Sequence, residues 1–455
     1  MTSFSSLPVE LQQQCAQYLD IGTLKNLRLA SRQTIRNLGS EALFETVVLK
    51  FEASSADRFN QVLGDEALRG LVKRIVVDGQ DGTSHEEDPT DDDYEMTPWA
   101  LAIPKIAEFP SVKDIELWFD EEVEADVWSN SNNLKQNEGY RKFYQELLYQ
   151  SLGKARSVEG LTVKNAQDAI IGHTGEGDGF IDARKRLKRL ALLIRTEETA
   201  APETDHEQPG FQRCFDSALL VHWLMPTQSQ LTSLTIYCDQ PWNPDPCCDL
   251  SDFQFPNLVE LALGNWPIAF DWQVDWITSH NQTLRKLSLT GCPIVYLVSG
   301  GEFSFDWPVT DSVFTKSTMK LFTTRWSDIF PIFQQRLLRL TCFIFKPSRP
   351  LSVDTYFNER FNATVKIDDQ ELCSDCYITY QDGTGPSPYT DDLCDILEPE
   401  DPNSDGLVSE DGDDPTIFFP PGERQDGLDS KALRQLLGTI RSNRSEAQQA
   451  KRDNI

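Results

Sequence analysis

Leu258-Val259-Glu260-Leu261-Ala262-Leu263 and, 26 residues further on, Leu284-Arg285-Lys286-Leu287-Ser288-Leu289 share one spacing, apolar-x-x-apolar-x-apolar. The last two apolar positions are two residues apart, so they lie on one face of a short strand and point into a core. The residue between them points to the other face. Working outward, the spacing returns at Val72-x-x-Ile75-x-Val77, Val112-x-x-Ile115-x-Leu117 and Val158-x-x-Leu161-x-Val163. It returns again at Leu187-x-x-Leu190-x-Leu192 and Leu231-x-x-Leu234-x-Ile236, with a weaker copy at Leu337-x-x-Leu340-x-Cys342.

The starts of these units are separated by 40, 46, 29, 44, 27, 26 and 53 residues. Three intervals match the period of a leucine-rich repeat, and the longer ones are what insertions produce. Helical stripes between units, as in Tyr140–Leu148 and Ala218–Leu224, predict an outer layer. The expected fold is therefore α/β, an irregular leucine-rich-repeat-like solenoid with a parallel sheet on its inner face, a surface suited to binding proteins. Glu116, Thr162, Ala191, Thr235, Ala262 and Ser288 are the expected residues of that face. An unrelated α/β domain remains the alternative, because apolar alternation describes any half-buried strand.

The N-terminal fifty residues read differently. Pro8 stands where a helix starts without losing a needed amide donor, and Glu10 falls in its first turn. Leu7, Leu11, Cys15 and Leu19 recur every four residues as one apolar stripe. Asp20 to Thr23 interrupts it, with Gly22 and Thr23 as cap residues, and Leu24, Leu27, Ala30 and Ile35 mark a second stripe. A helical unit of about forty residues is too small to be very stable alone, so it needs a neighbour or partner.

Leu7-Pro8-Val9-Glu10-Leu11, the helical register to Leu19, and Leu24-x-x-Leu27-Arg28-Leu29-x-Ser31-Arg32 resemble the F-box of fungal F-box proteins. The resemblance covers about 50 of 455 residues. It implies docking on a Skp-family adaptor of a cullin-based ubiquitin ligase, through Leu7, Pro8, Glu10, Leu11, Leu19, Leu24 and Leu27. Where many members carry an aromatic residue after the basic position, this chain has Gln33-Thr34-Ile35-Arg36. A repeat-like body commonly follows such an F-box, so the organisation agrees by analogy. The expected organisation is 1–50 F-box-like and helical, 51–380 repeat-like with an acidic insertion at 78–96, 381–423 an acidic disordered linker, and 424–455 a C-terminal helix and polar tail.

The formal charge of −30, from 42 basic and 72 acidic residues, argues against nucleic-acid or anionic-membrane partners. Nine acids and no base lie between Asp78 and Glu95, and eleven acids and no base between Asp391 and Asp414. Both stretches read as disordered, since they repel themselves and have little to bury. No apolar run of 18 residues exists, and Met1-Thr2-Ser3-Phe4 lacks the start of a signal peptide. A cytoplasmic or nuclear protein with ten thiols is expected. The basic run Arg184-Lys185-Arg186-x-Lys188-Arg189 reads as strand-entry charge or as an import signal. From Leu428 to Ile440 a last amphipathic helix, capped by Asp429 or Ser430, is expected to close the array and fray after Arg441.

Catalytic chemistry finds no constellation. The five histidines are scattered, and Cys373-x-x-Cys376 lacks a second pair at zinc spacing. Asp401-x-Asn403-x-Asp405-Gly406 starts like a calcium loop, yet Gly412 stands where its final glutamate belongs. No cofactor, no metal and no enzymatic activity are expected. Trp242, between Pro241 and Asn243-Pro244 in an apparent loop, and Trp266 are the candidate target anchors, because exposed tryptophans dominate protein interfaces. Two functions follow: a non-catalytic substrate receptor holding an unidentified protein target, or a repeat scaffold whose N-terminal unit is merely a cap.

Overall fold

Each apolar-x-x-apolar-x-apolar unit from Val72 to Leu289 ends in a β-strand. The computed structural model describes residues 8–16, 18–20, 22–24, 26, 40–80, 97–121, 136, 138–171, 178–196, 209–299, 312–316, 319–322, 324–347, 353–362, 376–381, 385–388 and 427–453. It divides into two units, Met1–Leu192 and Leu193–Ile455. The first contains β1 (Thr46–Lys50), β2 (Arg74–Asp78), β3 (Asp114–Trp118) and β4 (Gly160–Gln167), and the boundary falls within β5 (Arg189–Arg195). The second contains β6 (Ser233–Cys238), β7 (Glu260–Gly264), β8 (Lys286–Thr290) and β12 (Cys342–Lys346). The fold is mixed α/β with a multi-stranded parallel sheet.

The strands pair in one register. Val47 faces Ile75, Ile75 faces Ile115, and Ile115 faces Leu161. In the second unit Leu234, Leu261, Leu287 and Phe343 line up the same way. This register corrects two readings. The last copy is Leu340-x-x-Phe343-x-Phe345 rather than a frame starting at Leu337, because Phe343 is the residue opposite Leu287. An overlooked first copy, Phe44-x-x-Val47-x-Leu49, makes Thr46–Lys50 a strand inside the stretch assigned to the helical N-terminal unit.

One backbone detail recurs at the strand entries. The carbonyl after the first apolar position accepts two successive amides of the next unit. Glu45 receives Lys73 and Arg74, Lys73 receives Lys113 and Asp114, and Lys113 receives Glu159 and Gly160. Glu159 receives Lys188 and Arg189, Thr232 receives Val259 and Glu260, Val259 receives Arg285 and Lys286, and Arg285 receives Thr341 and Cys342. A left-handed residue also recurs at one offset from the unit. Asn165, Asn265 and Gly291 each stand two residues past the last apolar position, with φ of 54°, 53° and 61°. The left-handed region costs an ordinary residue about 1–2 kcal/mol, which asparagine and glycine escape. Both asparagines also reach back: Asn165 Nδ2 donates to the Phe119 carbonyl at 2.9 Å and Asn265 Nδ2 to that of Cys238 at 2.8 Å.

Helices cover the leucine-bearing face. In the first unit Glu138–Lys154 buries Tyr140, Tyr144, Leu148 and Leu152, the stripe visible in the sequence. In the second, Trp326 stacks at 5.0 Å on Phe330, one turn along its helix, and meets Phe345 edge-on at 4.6 Å. The stripe Ala218–Leu224 lies in a helix, but a wider π-helix that runs Cys214–Leu224. The C-terminal helix runs from Leu428 to Asp453, past the expected fray point, because Asn443 Nδ2 donates to the carbonyls of Leu338 and Leu340 at 3.0 and 3.1 Å. Asp429 is no end cap: it accepts from the Ser327 amide at 2.7 Å and from the Tyr377 hydroxyl.

A second, mixed sheet in the second unit was not read from the sequence. Its order is β10 (Ser312–Lys316), β11 (Met319–Phe322), β9 (Ile294–Ser299), β13 (Tyr377–Gln381), β14 (Gly385–Pro388). Phe270, Val295, Val298, Ile378 and Tyr380 form its core. The acidic stretches at 81–96 and 391–415, His85, His173, His206, Cys373, Cys394 and the calcium-like run lie outside the described residues. No helix among the described residues is long and apolar enough to cross a membrane.

Candidate interaction surfaces

Pro8 opens the first helix, Val9–Ala16, its carbonyl taking the amides of Leu11 and Gln12 at 3.1 Å. Leu11 is 46% exposed, Tyr18 is 90% exposed, Pro8 is exposed and Leu19 half-buried. Isolated exposed apolar residues are ordinary, but this run leaves an apolar edge uncovered. Asp20, rather than Gly22 or Thr23, caps the next turn. Its carboxylate accepts from the Thr23 hydroxyl at 2.6 Å and amide at 2.8 Å, and these bonds hold its pKa below the usual carboxylate value. Leu24 is buried, so it is a packing residue here and not an open contact. Glu10 lies on the helix, while Leu7 and Leu27 fall outside the described residues.

The face between the inward residues differs from its expected form in both units. In the first it is charged and self-paired. Arg74 Nε lies 3.6 Å from Glu116, and Lys50 Nζ lies 3.7 Å from Asp78. Arg189 Nη2 meets Asp114 at 2.8 Å. Glu116 is buried beneath this network, because the Trp118 indole donates to its Oε2 at 2.9 Å. The ammonium of Lys164 sits 3.9 Å over the Trp118 ring. Trp118 is half-buried and is the aromatic residue that sequence reading missed. Its parity with Glu116, two residues earlier, was the available signal.

The basic run resolves into structural roles. Arg184 is buried with its guanidinium 4.9 Å over Phe180. Arg186 donates to the carbonyls of Leu152 and Ala155, and Lys188 pairs with Glu159 at 3.4 Å.

In the second unit Thr235, Ala262 and Ser288 are buried rather than open, and so is Ala191 in the first, with Thr162 half-buried. Part of the reason lies in the short helix Val353–Glu359. Its Tyr356 stacks on Tyr237 with ring centroids 4.7 Å apart. Tyr237, Gly264, Lys286 and Lys346 share the parity of Thr235, Ala262 and Ser288, so this helix stands on that same face.

Trp242 and Trp266 are corrections. Both are fully buried. Trp242 stacks on Phe215 at 5.1 Å and on Trp266 at 5.7 Å, and its indole donates to the Gly264 carbonyl at 2.8 Å. The Pro- and Asn-rich flanks mimic a surface loop, but the Trp242 amide donates to the Asn265 carbonyl at 3.2 Å and Asn243 Nδ2 to the Pro267 carbonyl at 3.3 Å. With these donors paired, the ring can be interior. An open cleft of about 920 Å³ in the first unit, beside Leu101, Lys105, Phe143 and Glu146, has no converging set of reactive groups.

The described cysteines carry no disulfide, and burial pushes the Cys292 thiol up to about 12 and Cys247 to about 11. Such thiols are poor nucleophiles at neutral pH. Among the described residues no group of His, Cys, Asp and Glu is arranged to hold a metal ion. No protein-family model matches the chain, and no curated protein matches it.

Proposed function

We propose that this chain is the substrate-recognition subunit of a cullin-based ubiquitin ligase. The N-terminal segment binds a Skp-family adaptor, and the body, an irregular leucine-rich-repeat-like array, holds a protein target. Such a subunit does no chemistry itself. It raises the effective concentration of target lysines near the ubiquitin-loading enzyme. A cytoplasmic or nuclear location follows from that role.

The observation that carries the adaptor half is the helix beginning at Pro8 with Leu11 left exposed. A cap serving only its own chain would turn such residues inward. The array half is supported by the seven strand entries that each repeat one bifurcated-carbonyl pattern and by the three left-handed residues at one offset. Stacked copies of one supersecondary unit account for both recurrences. The second reading, a repeat scaffold without ligase association, is favoured by the burial of Leu24, as a packed cap requires.

Affinity purification of the intact chain beside a chain lacking residues 1–40, read by mass spectrometry, separates them. Adaptor and cullin are expected only with the intact chain, while target proteins come with both. Targets without adaptor in either sample would establish the scaffold.

A further inference from the structure

The face of β6, β7, β8 and β12 opposite the leucines is filled by the chain itself. Tyr356, fully buried, lies on Tyr237 and over Gly264. A Cβ at Gly264 would stand 2.9 Å from the Tyr356 ring and 2.5 Å from that of Tyr237, so the glycine makes the slot. One turn on, Glu359 pairs with Lys346 of β12. Beyond the helix, the Phe361 ring lies 5.5 Å from Lys286 Nζ, and its carbonyl is 3.9 Å from Cys342 Sγ. Val353 is buried at the start. The segment crosses the face from the strand exits to the strand entries.

Two features make this occupant displaceable. A seven-residue helix has almost no stability of its own, so its order comes from the face it rests on. The fit is also incomplete: the Tyr356 hydroxyl and Ser288 Oγ are buried with no hydrogen-bond partner. A buried hydroxyl without a partner bears its full desolvation cost. Held in the same chain, the helix still acts at an effective concentration on the order of millimolar, so it masks the face against weak competitors.

We infer that this face is a peptide-binding surface held in a masked state by residues 353–362, which act as an internal stand-in for the target. The target is a short amphipathic helix reading apolar-x-x-aromatic-x-x-acid. The aromatic ring enters the slot between Tyr237 and Gly264, and the carboxylate meets Lys346. This deepens the target-selection half of the proposed function and takes its occupant from that reading. The test contains no adaptor, so its outcome is independent of ligase association.

The probe is a fluorescein-labelled peptide of residues 352–362, titrated by anisotropy into full-length chains. Tyr356→Ala weakens the internal competitor, so this chain is expected to bind the peptide at least tenfold more tightly than wild type. Adding Lys346→Glu weakens binding at least tenfold, and a peptide carrying Glu359→Lys recovers it. A chain with Glu359→Lys alone, changing a half-exposed side chain, gives the same unmasking if Tyr356→Ala lowers the melting temperature. Equal affinity of wild type and both unmasked chains, no binding by any chain, or binding indifferent to the charge swap would each overturn the inference.

Discussion

Trp242→Ala is expected to destabilise the second unit by about 3–5 kcal/mol, the usual cost of emptying a buried tryptophan site. The ring is fully buried between Phe215 and Trp266. The substitution also leaves the Gly264 carbonyl without its indole donor. For a unit of this size the loss corresponds to a fall in melting temperature of roughly 10 °C. Differential scanning calorimetry checks it. An unchanged transition would place Trp242 outside the core and restore it as a surface anchor. Trp242→Phe, which keeps the stack but not the N–H, should lose about 1–3 kcal/mol.

Arg141→Leu is expected to cost about as much in the first unit. The guanidinium is fully buried, Nη1 donating to the Asn165 carbonyl and Nη2 to the Asp120 carbonyl, each at 2.7 Å. It ties the end of β3 and the Asn165 position within β4 to the Glu138–Lys154 helix and lies 5.3 Å from the centre of the Phe119 ring. Each charge-assisted bond contributes about 1.5–3 kcal/mol, and both carbonyls would be left buried. A loss of about 3–5 kcal/mol in denaturant unfolding is therefore expected. Arg141→Lys should recover less than half, because an ammonium cannot span two carbonyls as the planar fork does. A loss below about 1 kcal/mol for Arg141→Leu would contradict the burial assigned to it.

The strands were legible because their signal is local. Two inward apolar residues at period two, entered by a third, mark β2 to β8 where they occur. The copy at Phe44 was hidden because Leu43-Phe44 also continues a helical stripe, and both descriptions hold: Ser40–Phe44 is helix and Thr46–Lys50 is strand. The frame error at Leu337 arose because Leu337, Leu340 and Cys342 fit the spacing as well as Leu340, Phe343 and Phe345 do. Only pairing with β8 chooses between them.

The face opposite the leucines was illegible for a different reason. Thr235, Ala262 and Ser288 are small and nearly neutral, which suits open and covered surfaces alike. What covers them is a helix more than sixty residues further along in sequence, and no local pattern encodes that contact. Asn165 and Asn265 are a readable signal, since asparagine at one offset past the last apolar position of two units suits a left-handed residue. Trp242 was misread because prolines and acids beside a ring normally indicate surface. Its backbone and indole bonds to the exit of β7 reverse that rule.

The claim on which the functional account turns is that the segment opened by Leu7-Pro8 binds a Skp-family adaptor. Titration of purified adaptor into the intact chain, and into the same chain carrying Leu7→Ala with Pro8→Ala, measures this directly. Small interfaces concentrate their energy in a few apolar anchors, so the double variant should bind roughly thirtyfold more weakly, about 2 kcal/mol, with its melting temperature unchanged. Equal affinity of the two folded chains, or no binding by the intact chain, would contradict the account.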